Sequence, residues 1–170
     1  MNEERSEPKL VRELMSVGVL TCGLHTPVVE LTRALLEKEL EAAVVLDGQG
    51  NAAGFVSQDE LVRAYAQEAY RDLTAEAIMR EDVPQVPPDI PLAAAAQIMQ
   101  DQKVRILFIM HHAGGIEYPA ALLSYKHFLR HITMETRDDL RDLGIKAERE
   151  SPLATFFKRR DEARQRAGVG

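Results

Sequence analysis

The chain has 170 residues, of which 45% are hydrophobic and 28% charged. This is the composition of a folded globular protein and excludes one that is disordered throughout. A single cysteine excludes an internal disulfide framework and fits a reducing compartment. The net charge of −6 argues against a general nucleic-acid binder. Charge is unevenly spread, since residues 151–170 hold five Lys or Arg against two Asp or Glu.

No apolar run reaches the roughly 18 residues that span a bilayer. The charged N-terminus, MNEERSEPK, lacks the apolar stretch of a secretory signal. We therefore expect a cytoplasmic protein with no integral membrane segment.

An internal repeat organises most of the chain. Residues 10–57 match residues 74–124 in pattern, at an offset of 64. Each copy begins with a short helical stretch, which ends at Met15 or Met79. A longer helix follows, and its apolar positions fall on one face. These positions are Val28, Leu31, Ala34 and Leu35 in the first copy, and Leu92, Ala95, Ile98 and Met99 in the second.

Two short apolar runs in each copy predict a β-hairpin. In the first copy the strands Ala42–Leu46 and Ala52–Ser57 flank a Gly-rich turn. In the second copy the predicted strands are 106–110 and 120–124, joined by a turn over 111–115. This connection is three residues longer, so the offset between the copies becomes 67.

An amphipathic helix is predicted after each hairpin. Its apolar stripe consists of Leu61, Val62, Tyr65, Ala66, Ala69 and Tyr70 in the first copy, and of Phe128, Leu129 and Ile132 in the second. With a strand before the longer helix, on which Thr21 lies in the first copy, each copy has the order strand, helix, strand, strand, helix. This order predicts a mixed α/β (α+β) fold. Because about 60 residues bury little surface alone, we expect the two copies to pack as one module.

The ordered landmarks of the two copies resemble a CBS domain pair, also called a Bateman module. They are ELM (13–15), HTPV (25–28), EAAVVLDGQG (41–50) and GFVSQDEL (54–61), then AIM (77–79), PPDIPL (87–92), VRILFIM (104–110) and ALLSYKHFL (121–129). The resemblance covers about residues 8–132. It implies CBS repeats at 8–71 and 72–135, related by a pseudo-two-fold axis and followed by a helical C-terminal extension, 136–170.

The resemblance implies a regulatory module and not an enzyme. Such pairs commonly bind AMP, ADP, ATP or S-adenosylmethionine between the repeats, often form homodimers, and usually sense for an attached enzyme or channel. This chain resembles the stand-alone members, so the regulated partner is unknown and no cofactor is required. The sequence also contains no nucleophilic triad and no Walker A loop.

The family's ligand motif, Ser/Thr-x-x-Asp, lies where the last strand meets the last helix and binds the ligand's ribose and phosphate. The first copy has Ser57 and Glu60 at these positions, and the second has Ser124 and His127. Glu60 is one methylene longer than Asp, and His127 offers no carboxylate. Ser-x-x-Glu is also a capping box, so a purely structural role for the first pair stays open.

Family members place a basic residue just before the central strand, where it reaches the ligand held by the other repeat. Arg105 occupies this position in the second copy, and Glu41 occupies it in the first. Arg binds phosphate through bidentate, charge-assisted hydrogen bonds, whereas a carboxylate repels it.

At most one intact nucleotide site is therefore expected, formed by Ser57, Glu60 and Arg105. Thr21 lies on a predicted strand from which it can line the same cleft. The candidate ligand-binding residues are Thr21, Ser57, Glu60, Arg105, Ser124 and His127. The absence of Asp from both acid positions leaves an alternative open, a scaffold that binds no ligand and presents a surface to a partner.

Four of the five histidines lie in the second copy, and His127 and His131 are four residues apart on a predicted helix. That spacing suits a transition metal, but two ligands fill half of a tetrahedral site, so no metal site is predicted. A minor alternative is a sensor that uses these histidines to respond to metal or pH.

The C-terminal extension carries an apolar patch, Leu153, Phe156 and Phe157, followed by basic residues. Ser151 and Pro152 predict the start of a helix. The patch either packs on its own module or a dimer partner, or docks on an acidic partner or an anionic membrane surface.

Overall fold

The computed structural model describes residues 9–133. The elements, in chain order, are α1 (Val11–Leu14), β1 (Ser16–Val17), β2 (Leu20–Gly23), α2 (Val28–Glu37), β3 (Ala42–Leu46), β4 (Ala52–Ser57), α3 (Gln58–Tyr65), a 3-10 turn (Tyr70–Asp72), α4 (Ala75–Ile78), α5 (Leu92–Gln102), β5 (Ile106–Ala113), β6 (Ile116–Ser124) and α6 (Tyr125–Ile132). The predicted C-terminal extension, with its Leu153, Phe156 and Phe157 patch, lies outside the described residues.

Two three-stranded sheets form the centre of the fold, with strand orders β2-β3-β4 and β1-β6-β5. Strand β2 runs parallel to β3, and the other neighbours are antiparallel. The sheets share an apolar core in which Phe55 and Phe108 meet edge to face, with ring centroids 5.7 Å apart. Aromatic rings prefer this arrangement, which joins the two repeats at their sheets.

The outer faces of the sheets are covered by helices, as the periodicity predicts. Helix α2 buries Val28, Leu31 and Leu35, and α5 buries the matching Leu92, Ala95 and Met99. Each fully buried aliphatic side chain of this size stabilises the fold by about 1.5–3 kcal/mol. The short helices also end where predicted, with Met15 and Met79 at their C-termini.

The two repeats exchange their N-terminal segments. Strand β1 pairs with β6 of the second repeat, with Ser16 opposite Leu122. In return, α4 buries Ala75 in the core of the first repeat, and Arg80 pairs with Phe55 through backbone hydrogen bonds of 2.9 and 3.0 Å. The boundaries at 8–71 and 72–135 stay a prediction about the sequence repeat, since packing crosses them in both directions.

The second hairpin is longer than the sequence predicts. Strand β5 continues to Ala113, and β6 begins at Ile116, so the predicted turn over 111–115 is wrong for residues 111–113. Gly114 and Gly115 alone form the turn, at φ values of 60° and 77° that favour glycine. The extra strand residues escape a search for apolar runs because most of them are exposed.

The first strand of the second repeat is reduced to one isolated bridge, Gln85 with Phe108. Phe108 donates to the Pro84 carbonyl at 2.8 Å and accepts from Val86 at 3.0 Å. Pro84 and Pro87 have no N–H group to donate, which limits the pairing to this point.

The apolar stripes of α3 and α6 reach the core only in part. Leu61 and Phe128 pack against core clusters. Val62 and Tyr65 are about 70% exposed, and Leu129 is 61% exposed. Helix α3 ends at Tyr65, so Ala66, Ala69 and Tyr70 of the predicted apolar stripe lie beyond the end of this helix. Val62, Tyr65 and Leu129 therefore form an exposed apolar strip. The surface of α3 and α6 that carries this strip is called the helical face below.

Candidate ligand-binding cleft

Ser57 and Glu60 form the capping box that the sequence allows. The Ser57 Oγ accepts from the Asp59 backbone N–H at 3.2 Å. The Glu60 Oε2 accepts from the Ser57 backbone N–H at 2.9 Å and from the Ser57 hydroxyl. Glu60 is only 3% exposed. Its carboxylate therefore satisfies the first turn of α3 in this conformation.

Arg105 lies beside this capping box, across the boundary between the repeats. It directly precedes β5, and its carbonyl accepts from the Tyr125 N–H at 3.1 Å, which fixes the backbone there. Its Nε is 3.7 Å from the Asp59 Oδ2. The structure thus brings Ser57, Glu60 and Arg105 together, as the resemblance implies, and adds Asp59.

Two small cavities adjoin these residues. The larger, of about 150 Å³, has a mixed charged lining of Glu41, Asp59, Arg105 and Lys126. The smaller, of about 50 Å³, has a mainly basic lining of Arg63, Arg80, Lys103 and Arg105, with Asp59 and Glu60. Ser57, Asp59, Arg105 and Ile106 line both cavities.

The basic cluster is defined here as Arg63, Arg80, Lys103 and Arg105. Arg105 is predicted from the sequence, whereas Arg63, Arg80 and Lys103 are not. Arg63 comes from α3, and Lys103 ends α5 in the left-handed conformation, at φ 54°. Arg80 belongs to the second repeat's sequence but reaches the first because its backbone pairs with Phe55. The sequence does mark the position of Arg80, because this residue directly follows the AIM landmark (77–79).

Gly54 permits the approach of Arg80. A Cβ atom at Gly54 would lie 2.5 Å from the Arg80 carbonyl oxygen and 2.8 Å from the Met79 sulfur. The guanidinium of Arg80 then lies over the Phe55 ring, 5.5 Å from its centroid. A glycine on β4 therefore helps to place one cation of the basic cluster.

The matching cleft of the second repeat is built differently. His127 is 7% exposed, and its Nδ1 accepts from the Ser124 backbone N–H at 2.9 Å. Its Nε2 lies 2.7 Å from the Ser16 Oγ. Because Nδ1 accepts a hydrogen bond, the ring is neutral and carries its proton on Nε2. Burial lowers the pKa of His127, and the nearby Arg130 lowers it further.

The second cleft has fewer cations than the first, although Lys126 and His127 match the first cleft's Asp59 and Glu60. At the positions that match Arg63, Arg80, Lys103 and Arg105 stand Arg130, Ser16, Glu39 and Glu41. One cation and two carboxylates thus replace four cations. Two carboxylates disfavour a phosphate group, so the two clefts are not equivalent.

Thr21 is not brought into this site. It is an exposed residue of β2, the edge strand of its sheet, and pairs in register with Val44. It lines neither of the two cavities beside Ser57.

Within residues 9–133, no group of three or more His, Cys, Asp or Glu side chains is placed to hold a metal ion. In the same part of the chain, no helix has the length and apolar character needed to cross a membrane.

A family model of the CBS domain matches the chain twice, at residues 11–67 and 75–133. Comparison with solved structures finds an uncharacterised conserved protein from Pyrococcus horikoshii, with a TM-score of 0.65 and 18% identity, covering 77% of this chain and 97% of that one. It also finds the CBS-domain containing protein ATU1752 from Agrobacterium tumefaciens, with a TM-score of 0.65 and 20% identity, covering 73% and 99%.

A third similar structure is the CBS domain pair of protein MJ0100 in complex with 5-methylthioadenosine and S-adenosyl-L-methionine. Its TM-score is 0.63 at 18% identity, and the match covers 73% of this chain and 99% of that one. At these identities the similarities establish the fold. A comparison with curated protein sequences found no match.

Proposed function

The chain belongs to the CBS domain family, and we propose that it is a regulatory module that binds an adenine nucleotide in the cleft beside Ser57. The observation that carries the proposal is the basic cluster around the first turn of α3. Four cations attract a phosphate group, and Arg adds bidentate hydrogen bonds to it. The start of a helix contributes a favourable dipole.

Among AMP, ADP, ATP and S-adenosylmethionine, we expect the three that carry phosphate to bind this cleft. The sulfonium of S-adenosylmethionine is cationic and would lie near a cluster of like charge. The adenosyl ligands named in the MJ0100 complex support an adenosine-bearing ligand in general.

Binding requires the cleft to widen. Cavities of about 150 and 50 Å³ are smaller than the roughly 300–1,000 Å³ of typical small-molecule sites. The two repeats supply different walls of the cleft, so widening it changes how the repeats meet. A ligand that binds the wider arrangement more tightly would shift the population toward it, which is what a sensor must do.

A thermal-shift screen with the four ligands tests the proposal. A ligand that binds only the folded chain stabilises it by RT ln(1 + L/Kd) at a free ligand concentration L, so the Tm rises with the ligand concentration. We expect a rise with the phosphate-bearing nucleotides, lost in Arg105→Ala and kept in Lys126→Ala, a matched loss of one cation from the larger cavity. Unchanged Tm values at millimolar nucleotide would contradict the proposal.

We also propose that the module is a homodimer formed through its helical face. Val62 and Leu129 occupy matching positions on α3 and α6, and both are more than 60% exposed. A groove of about 490 Å³ continues this apolar strip between α2 and α3. Exposed apolar surface of this extent is typical of an interface. We expect Val62→Asp to halve the mass measured by light scattering, and Glu30→Ala, an exposed change on α2, to leave it unchanged.

A second candidate function is a scaffold that binds no nucleotide. It is favoured by one observation, that Glu60 and His127 both cap their own helices at the positions where the family has its ribose-binding Asp. The protein would then act only through a surface presented to its regulated partner. A flat thermal-shift screen combined with a stable dimer is the outcome expected of this candidate.

Under either function we propose a cytoplasmic regulator without catalytic activity. Cys22, the single thiol, is half-buried, and burial raises its pKa. A thiol with a raised pKa is a poor nucleophile.

A further inference from the structure

One ion pair joins the two repeats at the mouth of the cleft. Asp59 lies in the first turn of α3, and Arg105 directly precedes β5. The Arg105 Nε and the Asp59 Oδ2 are 3.7 Å apart, and the side chains are 68% and 47% exposed. A pair this exposed is weak, so another anion can take the place of the carboxylate at little cost.

The same pair lies where the two cavities adjoin, since both of its residues line each of them, together with Ser57 and Ile106. On one side lie Arg63, Arg80 and Lys103, and on the other lies Lys126. Separation of the pair would free Arg105 for a ligand. The pair therefore controls the availability of Arg105, which lines both cavities.

We propose that Asp59 is a latch that occupies Arg105 when no ligand is present, and that a phosphate group displaces the Asp59 carboxylate on binding. This rests on the proposed function and adds its regulation. Displacement exchanges a contact between the repeats for a contact with the ligand. Only molecules in which the latch is open bind the ligand. The apparent affinity for the ligand is therefore the intrinsic affinity multiplied by the fraction of open molecules.

The first test measures ADP binding by titration calorimetry to the full chain and to Asp59→Asn. Asn keeps the size of the side chain and cannot form the ion pair. We expect Asp59→Asn to bind ADP about 2- to 5-fold more tightly, the range that an exposed pair can supply.

Removal of a carboxylate also lowers its general repulsion of phosphate, so the test needs a matched carboxylate. Glu41 lines the larger cavity without lining the smaller one. General repulsion raises the ADP affinity of both variants whether or not Arg105 is present. The latch predicts a larger gain for Asp59→Asn than for Glu41→Gln, and predicts that this advantage disappears in the Arg105→Gln background. Equal gains, or an Asp59→Asn affinity no higher than that of the unmodified chain, overturn the latch and leave the proposed function intact.

A second test needs no ligand. If Asp59 and Arg105 interact, the losses of Tm in Asp59→Asn and Arg105→Gln add up to more than the loss in the double variant. Additive losses overturn the latch whatever the first test gives. Absence of ADP binding to both chains overturns the proposed function instead, and with it the displacement of Asp59 by a ligand.

Discussion

The Nδ1 atom of His127 lies 2.9 Å from the backbone nitrogen of Ser124 and accepts a hydrogen bond from its N–H, so a neutral imidazole caps α6. Glu60 accepts from Ser57 at the same distance at the start of α3. Two chemically different side chains thus perform one structural task at matching positions. The imidazole can perform it only while Nδ1 is unprotonated.

Stability is therefore expected to fall in acid because of His127. Burial holds the pKa of His127 below its ordinary value of about 6.5. As the pH falls through 6.5 toward the lowered value, the unfolded chain binds a proton before the folded one does, and the free energy of unfolding decreases. Measured Tm values should drop over this interval.

His127→Gln tests this cause, because Gln completes a capping box and does not titrate. We expect its Tm to be close to that of the unmodified chain at pH 7.5 and to drop less by pH 5. His25→Gln, which changes a side chain that is 88% exposed, is the control and should keep the full drop. The same drop in His127→Gln as in the unmodified chain would count against the assignment.

Gly54→Ala should destabilise the chain by about 1–3 kcal/mol, the usual cost of overpacking. The new Cβ would meet the Arg80 carbonyl oxygen at 2.5 Å, and this oxygen cannot easily yield because the Arg80 backbone is held to Phe55 by two hydrogen bonds. Urea denaturation measures the loss. Gly48→Ala is the matched control, since nothing lies within 4 Å of a Cβ there. Equal effects of the two substitutions would refute this explanation.

Much of the fold could be predicted because its signals are local. The hairpin of Ala42–Leu46 and Ala52–Ser57 and the buried faces of α2 and α5 are where periodicity places them. The exchange of segments could not be predicted. Strand β1 is two residues long, too short for any periodicity, and its partner Leu122 is more than 100 residues away.

The sequence predicts the motif residues of the candidate site, but it does not predict how many cations surround them. Ser57, Glu60 and Arg105 could be placed by resemblance. Arg63 and Lys103 could not, because surface cations carry no periodic signal and their convergence depends on tertiary packing. The sequence also could not decide between capping and ribose binding by Glu60, since both use the same spacing.

Glu60 offers a way to separate these two roles. Glu60→Ala leaves the Ser57 N–H without its acceptor and should cost about 1 kcal/mol in urea denaturation, as for the loss of a helix cap. Glu60→Gln should keep that stability. If Glu60 also meets a ligand, Glu60→Gln should lose affinity for ADP in calorimetry. Glu37→Ala, an exposed change at the end of α2, is the control for both measurements.

If the basic cluster makes the Ser57 cleft an adenine-nucleotide site, ATP binding depends on Arg80. Arg80 lines the smaller cavity, which holds the basic cluster, and Lys126 lines only the larger one. Titration calorimetry with ATP should show binding to the unmodified chain, a loss of about tenfold or more in Arg80→Gln, and a much smaller change in Lys126→Gln. Equal ATP affinities of the unmodified chain and Arg80→Gln, or no heat of binding at millimolar ATP, would contradict the claim.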